Sequence, residues 1–224
     1  MRYAKPAVLL VLLLCFVFSP IFSRTALGKS YSYFSQYGYY GIRATITTPS
    51  GPPYTANSDT QSHSVSTTVA PWVQAGWYYY PATMLQPLRY YEYFEGGQIR
   101  QRDSLPQPWG TEVRYEVSQD GSQNLNRWCM YIGGAQIRCE VISCNAPCTV
   151  VAQSEDNINP ATVFFTNFKN IEVRHADDDD WDFPTLPGHM GSDNPYRYTI
   201  TDGNSFQTWS IGNSLPAAFN RSLP

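Results

Sequence analysis

Two short segments hold residues with side chains suited to joint chemistry. The first is Trp72-Val-Gln-Ala-Gly-Trp77. Extended, it puts Gln74 on one face with Trp72, Gly76 and Tyr78, and Val73, Ala75 and Trp77 on the other. An amide framed by rings and a glycine suits a cleft. The glycine leaves room, the rings exclude water, and the amide can donate to a developing oxyanion. The second segment is Arg89-Tyr-Tyr-Glu-Tyr-Phe-Glu95. Glu92 stands between rings there, where desolvation raises a carboxyl pKa. Each has a plainer structural reading: a Gln bonded across a sheet, or a carboxylate on a solvated face. Trp72, Trp77 and Tyr91, rings close to these two groups in sequence, are the candidates for contacting a substrate.

Other chemistries lack their residues. There is no glycine-rich phosphate loop, no Gly-x-Ser-x-Gly and no His-Glu-x-x-His. His63, His175 and His189 are far apart in sequence, and each reads as a surface residue rather than a ligand. Asp177-Asp-Asp-Asp-Trp-Asp182 lacks the spacing of a regular calcium loop and reads as a solvated acidic loop. No metal and no cofactor is expected. The net charge of −3 gives no electrostatic support for binding nucleic acid.

The elements that position these residues read as strands. Only 15% of the 224 residues are charged, against 15% aromatic: 6 Trp, 17 Tyr and 11 Phe. Few charges, many Tyr and Thr, and 17 Pro favour strands and turns. The stretch from Lys29 to Tyr40 is Tyr- and Ser-rich and reads as a lead-in to the first strand. Ile42, Ala44 and Ile46 then alternate with Arg43, Thr45 and Thr47, the period-two mark of a half-buried strand. Similar short runs continue to Ile211. Gly96-Gly97, Asp120-Gly121, Gly133-Gly134 and Asp202-Gly203 separate several of them as hairpin turns. No long segment has apolar residues at helical spacing. The expectation is an all-β fold, an antiparallel two-sheet β-sandwich of jelly-roll, concanavalin-like type, with residues 29–224 as a single domain.

The first 28 residues read as a secretory signal. Arg2 and Lys5 precede an apolar run to Phe22, and small residues follow it. Cleavage falls after Ser23 or after Gly28. An uncleaved anchor is the rival, but Pro20 breaks a run already at the short limit for a span. Removing Arg2, Lys5 and Arg24 leaves 12 basic against 18 acidic residues, a net of −6. The remaining Cys129, Cys139, Cys144 and Cys148 cluster in 20 residues of an exported chain and read as two disulfides. If Gly133-Gly134-Ala135 is a three-residue turn, Cys129 faces Cys139, which favours Cys129–Cys139 with Cys144–Cys148. A zinc site is the rival, and no clustered His supports it. The reading is thus a secreted monomer with no membrane span after cleavage. Asn220-Arg-Ser222 is a glycosylation sequon in a eukaryotic host.

The order of the motifs resembles the glutamic peptidases (eqolisins). They carry a Leu-Gln-Thr-Gly strand followed by Trp-Tyr-Glu-Trp-Tyr-Pro, as Gln74-Ala-Gly-Trp is followed here by Arg89-Tyr-Tyr-Glu-Tyr-Phe-Glu95. Val151-Ala-Gln-Ser-Glu-Asp156 resembles their later strand with the catalytic glutamate, and Phe164–Val173 their Phe-rich strand after it. Gln-x-Gly-Trp is also similar to the Glu-Ala-Gly-Trp of neprosin-type proteins, which share a related sandwich. The resemblance implies a Gln/Glu catalytic pair, Gln74 and Glu155, with Asp156 the alternative if the alignment slips by one. Glu155 would be general base on a water attacking the peptide carbonyl and later acid toward the amine. Gln74 would hold that water and the oxyanion, and Glu92 would be a supporting or substrate-binding carboxylate. His63-Ser-Val-Ser-Thr67 stands where the family has Trp-Val-Gly-Ile-Asp-Gly.

Three functional readings follow. The first is a secreted glutamic-peptidase-like endopeptidase acting on polypeptide. The second is a non-catalytic module of the same fold that binds an extracellular glycan or surface through Tyr and Trp rings. The third is a glycoside hydrolase using Glu92 and Glu155, which needs the two carboxyl groups roughly 5 to 10 Å apart.

Overall fold

The computed structural model describes residues 29–51, 61–67, 72–80, 84–95, 98–121, 124–156, 165–175, 180–192 and 196–210. The expected signal segment, Asp177 to Asp179 of the acidic run and the Asn220 sequon lie outside them.

Every regular element among the described residues is a strand. They are β1 (Lys29–Tyr39), β2 (Gly41–Thr47), β3 (Gln61–Thr67), β4 (Val73–Tyr79), β5 (Leu88–Glu95), β6 (Gln98–Pro106), β7 (Glu112–Gln119) and β8 (Arg127–Ile132). β9 (Ala135–Val141), β10 (Cys148–Asp156), β11 (Thr166–Arg174), β12 (Trp181–Asp182), β13 (Met190–Ser192), β14 (Tyr196–Asp202) and β15 (Ser205–Ser210) complete them. One sheet runs β13-β1-β10-β3-β4-β5-β6, the other β14-β15-β11-β2-β7-β8-β9, with β12 on β11. All pairings are antiparallel. The two sheets stack, β3 and β4 over β7 and β10 over β2. This is the expected antiparallel β-sandwich.

Alternation explains which side chains meet between the sheets. Ile42, Ala44 and Ile46 of β2, Val65 of β3, and Val73, Ala75 and Trp77 of β4 are fully buried in the core. Tyr115 and Val117 of β7, Trp128 and Met130 of β8 and Phe168 of β11 meet them there. Burying residues of this size stabilises the fold by roughly 1.5 to 3 kcal/mol each.

Local chemistry differs from the reading at several points. The Tyr- and Ser-rich lead-in is itself a strand, β1, because β10 and β13 pair with its two edges. β6 is an edge strand with exposed Arg100 and Arg102, so it shows no apolar alternation to reveal it. The runs expected at Thr162–Phe168, whose first three residues lie outside the described ones, and at Ile171–Arg174 join in β11 through an irregularity between Lys169 and Glu172, where Asn170 takes a φ of 49°.

Both expected disulfides are formed, Cys129–Cys139 and Cys144–Cys148. The turn that brings the first pair together is not the three-residue one. Gly133 and Gly134, at φ 61° and 82°, form a two-residue turn that closes Ile132 on Ala135. A register shift at Met130/Tyr131 then brings Cys129 opposite Cys139. Glycine is what allows positive φ at both turn positions.

Candidate functional site

Four strands of the first sheet carry the candidate groups on the face turned away from the core. Three register rows cross β10, β3, β4 and β5 there. They are Val151-Ser66-Gln74-Glu92, Gln153-Ser64-Gly76-Tyr90 and Glu155-Ser62-Tyr78-Leu88. Gln74 therefore pairs directly with Glu92 on the next strand. Glu155 lies in the third row, four residues along β3 from the row of Gln74, or about 13 Å.

Tyr90 occupies the row between them. It pairs with Gly76, which puts no side chain between the ring and Ser64. Gln74 Nε2 donates to the Tyr90 hydroxyl at 3.1 Å. Both are nearly shut off from solvent, Gln74 at 6% and Tyr90 at 2% exposure, although they lie on the outer face. Tyr78 packs edge-on against Tyr90, ring centroids 5.5 Å apart.

The carboxylates are held individually. Glu92 accepts from the Trp72 indole Nε1 at 3.0 Å, and the Trp72 ring lies 5.6 Å from that of Phe94. Glu155 accepts from Gln153 Nε2 at 2.9 Å and from the Ser62 hydroxyl at 3.3 Å. Burial raises the Glu155 pKa to about 7; the Glu92 charge adds to the rise and the Ser62 hydrogen bond opposes it. Burial also raises Glu92, against the Trp72 hydrogen bond. The Tyr90 phenol is pushed well above its ordinary value by burial, with Glu92 and Glu155 adding. The charge of Glu92 bears on Glu155, and the charges of both bear on Tyr90.

Not every expected residue faces this site. Trp77 is fully buried in the core on the opposite face, as strand alternation requires, so it is not a substrate contact. Tyr91 packs against the core, stacked on Tyr93 at 6.3 Å, and is corrected likewise. Trp72 does share the face of Gln74 through Glu92. Sequence reasoning missed Tyr90, Ser62 and Gln153. Tyr90 was in reach, since it is two residues from Glu92 and so on its face. Ser62 becomes visible only once β3 is known to lie between β10 and β4.

His63 corrects the expectation of a surface histidine. It lies between the sheets at 2% exposure, its ring 4.2 Å from that of Trp77. Nδ1 is 2.7 Å from Ser154 Oγ and Nε2 is 3.4 Å from Thr166 Oγ1. Ser154 Oγ is in turn 2.8 Å from Thr208 Oγ1. Burial lowers its pKa to about 3, so it is neutral in the fold. His175 and His189 are exposed. Among the described residues no group of three His, Cys, Asp or Glu side chains gathers to hold a metal ion, and no helix is long and apolar enough to cross a membrane.

The second sheet carries a shallow pocket of about 250 Å³ lined by Thr45, Arg114, Asn170, Glu172 and Phe183. Arg43 grips Glu172 there with two bonds, 2.7 and 3.0 Å, and lies over the Trp181 ring. Its charges satisfy one another, so it offers less chemistry than the first sheet.

No family model and no curated protein matches the chain. Solved structures do. The chain superposes on scytalido-glutamic peptidase bound to a peptide-based transition-state analogue with a TM-score of 0.59 at 12% identity. It superposes on SCP-B, a member of the eqolisin family of peptidases in complex with the tripeptide Ala-Ile-His, with a TM-score of 0.55 at 12% identity. Each alignment covers 82% of this chain and 100% of the other. The likeness is one of fold: the chain has a glutamic-peptidase-like β-sandwich.

Proposed function

We propose that this chain is a secreted endopeptidase of the glutamic-peptidase type, in which Glu155 and Gln74 activate water against a peptide bond. The observation that carries the reading is the coupled group on one sheet face. Glu155 has a pKa near neutrality, Glu92 lies within its electrostatic reach, and Gln74 is tied to Tyr90 beside both. A carboxyl that titrates near the working pH suits a group that must both take and return a proton.

Glu155, held by Ser62 and Gln153, takes the proton of the attacking water and passes it to the leaving amine. Gln74 has one amide hydrogen on Tyr90, which leaves the other hydrogen for the oxyanion; two rows from Glu155, it acts on the scissile carbonyl rather than on the water that Glu155 deprotonates. Glu92, anchored by Trp72, holds the charge on Glu155 in check and lines the substrate path. The likeness of fold to two peptide-bound peptidases supports polypeptide as the substrate class. Two disulfides fit export to an oxidising compartment.

A non-catalytic binding module is the second reading, and one observation favours it: Gln74 pairs in register with Glu92, not with Glu155. Digestion of casein or a peptide library between pH 3 and 7 separates the two, with Glu155→Gln and Gln74→Ala beside the wild type. The peptidase reading expects cleavage by the wild type and its loss in both variants. A wild type that cuts nothing but is retained on a polysaccharide column, with retention lost in Trp72→Ala, establishes the module instead.

A further inference from the structure

The pocket on the second sheet is built around a break in β11. Lys169 pairs with Thr45 and Glu172 with Arg43, so Asn170 and Ile171 together oppose Ala44. Two residues against one make a β-bulge, a device that re-aims a side chain and is common beside functional sites. Ile171 is fully buried in the core, and Asn170 is left exposed at the pocket. Among the described residues Asn170 is the only non-glycine at positive φ. Its neighbours fix it there: the Asn170 N–H donates to Ser205 Oγ at 3.2 Å, and the Ile171 N–H to the Asn204 carbonyl at 2.9 Å. Phe183 forms another wall and is 67% exposed, yet the segment that carries it is pinned on both sides. Trp181 and Asp182 pair with β11, the Trp181 ring lies 4.0 Å from the Arg43 guanidinium carbon, and Leu186 is fully buried in the core. An aromatic ring is thus held in place beside a set of polar groups.

The polar lining selects a neutral ligand. Glu172 accepts two bonds from Arg43 and a longer one, 3.5 Å, from Arg114. An anion drawn to Arg114 meets the Glu172 carboxylate, and a cation drawn to Glu172 meets two guanidinium groups. A hydroxyl suits both, because it donates to the carboxylate and accepts from the guanidinium. Arg114, Asn170 and Glu172 each end in a planar group with at least two hydrogen-bonding atoms, which matches neighbouring hydroxyls on one ring. Thr45 adds a hydroxyl of its own. At about 250 Å³ the pocket is smaller than the roughly 300 to 1,000 Å³ of drug-sized sites, so it takes one ring rather than an extended chain.

We propose that this pocket binds a single pyranose ring of a neutral sugar, with the apolar C–H face of the sugar on Phe183 and its hydroxyls on Arg114, Asn170 and Glu172. A pyranose has both surfaces the pocket offers partners for, an apolar face and a rim of adjacent hydroxyls. The site lies on the sheet opposite to the one that carries Gln74 and Glu155. It does not depend on the peptidase reading, and it is distinct from glycan binding through Trp72.

The test titrates the nitrogen-15-labelled full chain with the methyl glycosides of glucose, mannose and galactose, each up to about 100 mM because a single ring binds weakly. At least one glycoside should shift the Asn170 side-chain amide, whose signal is assigned by its absence in Asn170→Gly. Phe183→Ala should weaken that binding about tenfold or more. Asn170→Gly keeps the positive φ of the bulge, so a similar loss, read at the Ile171 backbone amide, reports the missing side chain and not a disturbed strand. Arg114→Lys keeps the charge but loses the planar fork and should weaken binding as well; it decides the matter if either other variant fails to fold. Acetate and methylammonium serve as the charged controls and should leave Asn170 unmoved. The proposal is overturned if no glycoside shifts Asn170, if the affinity is unchanged in the variants, or if an ion shifts Asn170 where the sugars do not. A wild type that cleaves no peptide removes the peptidase reading and leaves this titration to be decided by itself.

Discussion

The Tyr90 hydroxyl lies 3.1 Å from Gln74 Nε2, although the two residues sit in different register rows. Gly76, opposite Tyr90, is what lets the ring lie across the sheet and meet the amide from the side. The contact sets which way the amide points. Its oxygen and its nitrogen do different work on a carbonyl carbon under attack, so the setting matters to catalysis.

That arrangement predicts the cost of losing the amide. Gln74→Ala should lower kcat/KM for a peptide substrate by about 100-fold or more, the usual effect of removing one oxyanion donor. Its stability should also fall by about 1 to 3 kcal/mol, since the buried Tyr90 hydroxyl is left without its donor. A variant that cuts as well as the wild type removes Gln74 from the mechanism.

Glu92 should govern the pH at which Glu155 works. The Glu92 charge contributes to the raised Glu155 pKa of about 7. The general base must be ionised, so kcat/KM should climb as pH rises through that value. Glu92→Gln removes the charge and should move the midpoint of the climb to lower pH by about half a unit or more. A midpoint that stays put, or rises, shows that the two carboxyls do not interact.

Two desolvated groups, the buried His63 and the half-buried Glu155, should give stability slopes of opposite sign. Glu155 is raised in the fold, so its contribution is present below about pH 4.5 and is lost as pH rises through about 7. His63 is lowered, so its contribution is present above about pH 6.5 and is lost as pH falls through about 3. Glu155→Gln should flatten the fall in melting temperature between pH 5 and 7. The effect is on the order of 2 kcal/mol, or about 5 °C, with some allowance for the partial exposure of the residue. His63→Gln should be less stable than wild type at neutral pH yet lose less on acidification, with a slope change on the order of 3 kcal/mol. Parallel melting curves for wild type and either variant across its window contradict the assignment.

Why some of this was legible and some not follows from where the information lies. Period two placed Gln74, Trp72 and Gly76 on one face and Trp77 on the other, because a strand repeats every second residue whatever its neighbours do. The same rule put Tyr91 opposite to Glu92, yet a ring beside a carboxylate in sequence invited the wrong association. His63 read as a surface residue because no second histidine lies near it in sequence. Period two turns the flanking serines to the outer face and puts His63 on the face of Val65, against Trp77. Partners such as Ser62 for Glu155 depend on strand order, which no local pattern carries. β6 stayed hidden because an edge strand has little to bury.

Gly76 sharpens the point that a small residue can be required by its neighbours' backbone. A Cβ there would stand 2.0 Å from the His63 carbonyl oxygen and 2.8 Å from Ser64 Cα and Cβ. The first of these is main chain on β3, and it cannot move without parting β3 from β4. Moving β3 would also carry Ser62 away from Glu155 and His63 away from Ser154. Gly76→Ala should therefore cost about 3 kcal/mol or more of stability, in the range of severe overpacking. Gly203 is the control, because an added Cβ meets nothing within 4 Å there. Gly203→Ala should stay within about 0.5 kcal/mol of wild type. Denaturant melts of the two variants decide it. If Gly76→Ala unfolds at the same denaturant concentration as Gly203→Ala, β3 and β4 are not packed this tightly, and the rows that bring Tyr90 to Gln74 are drawn wrongly.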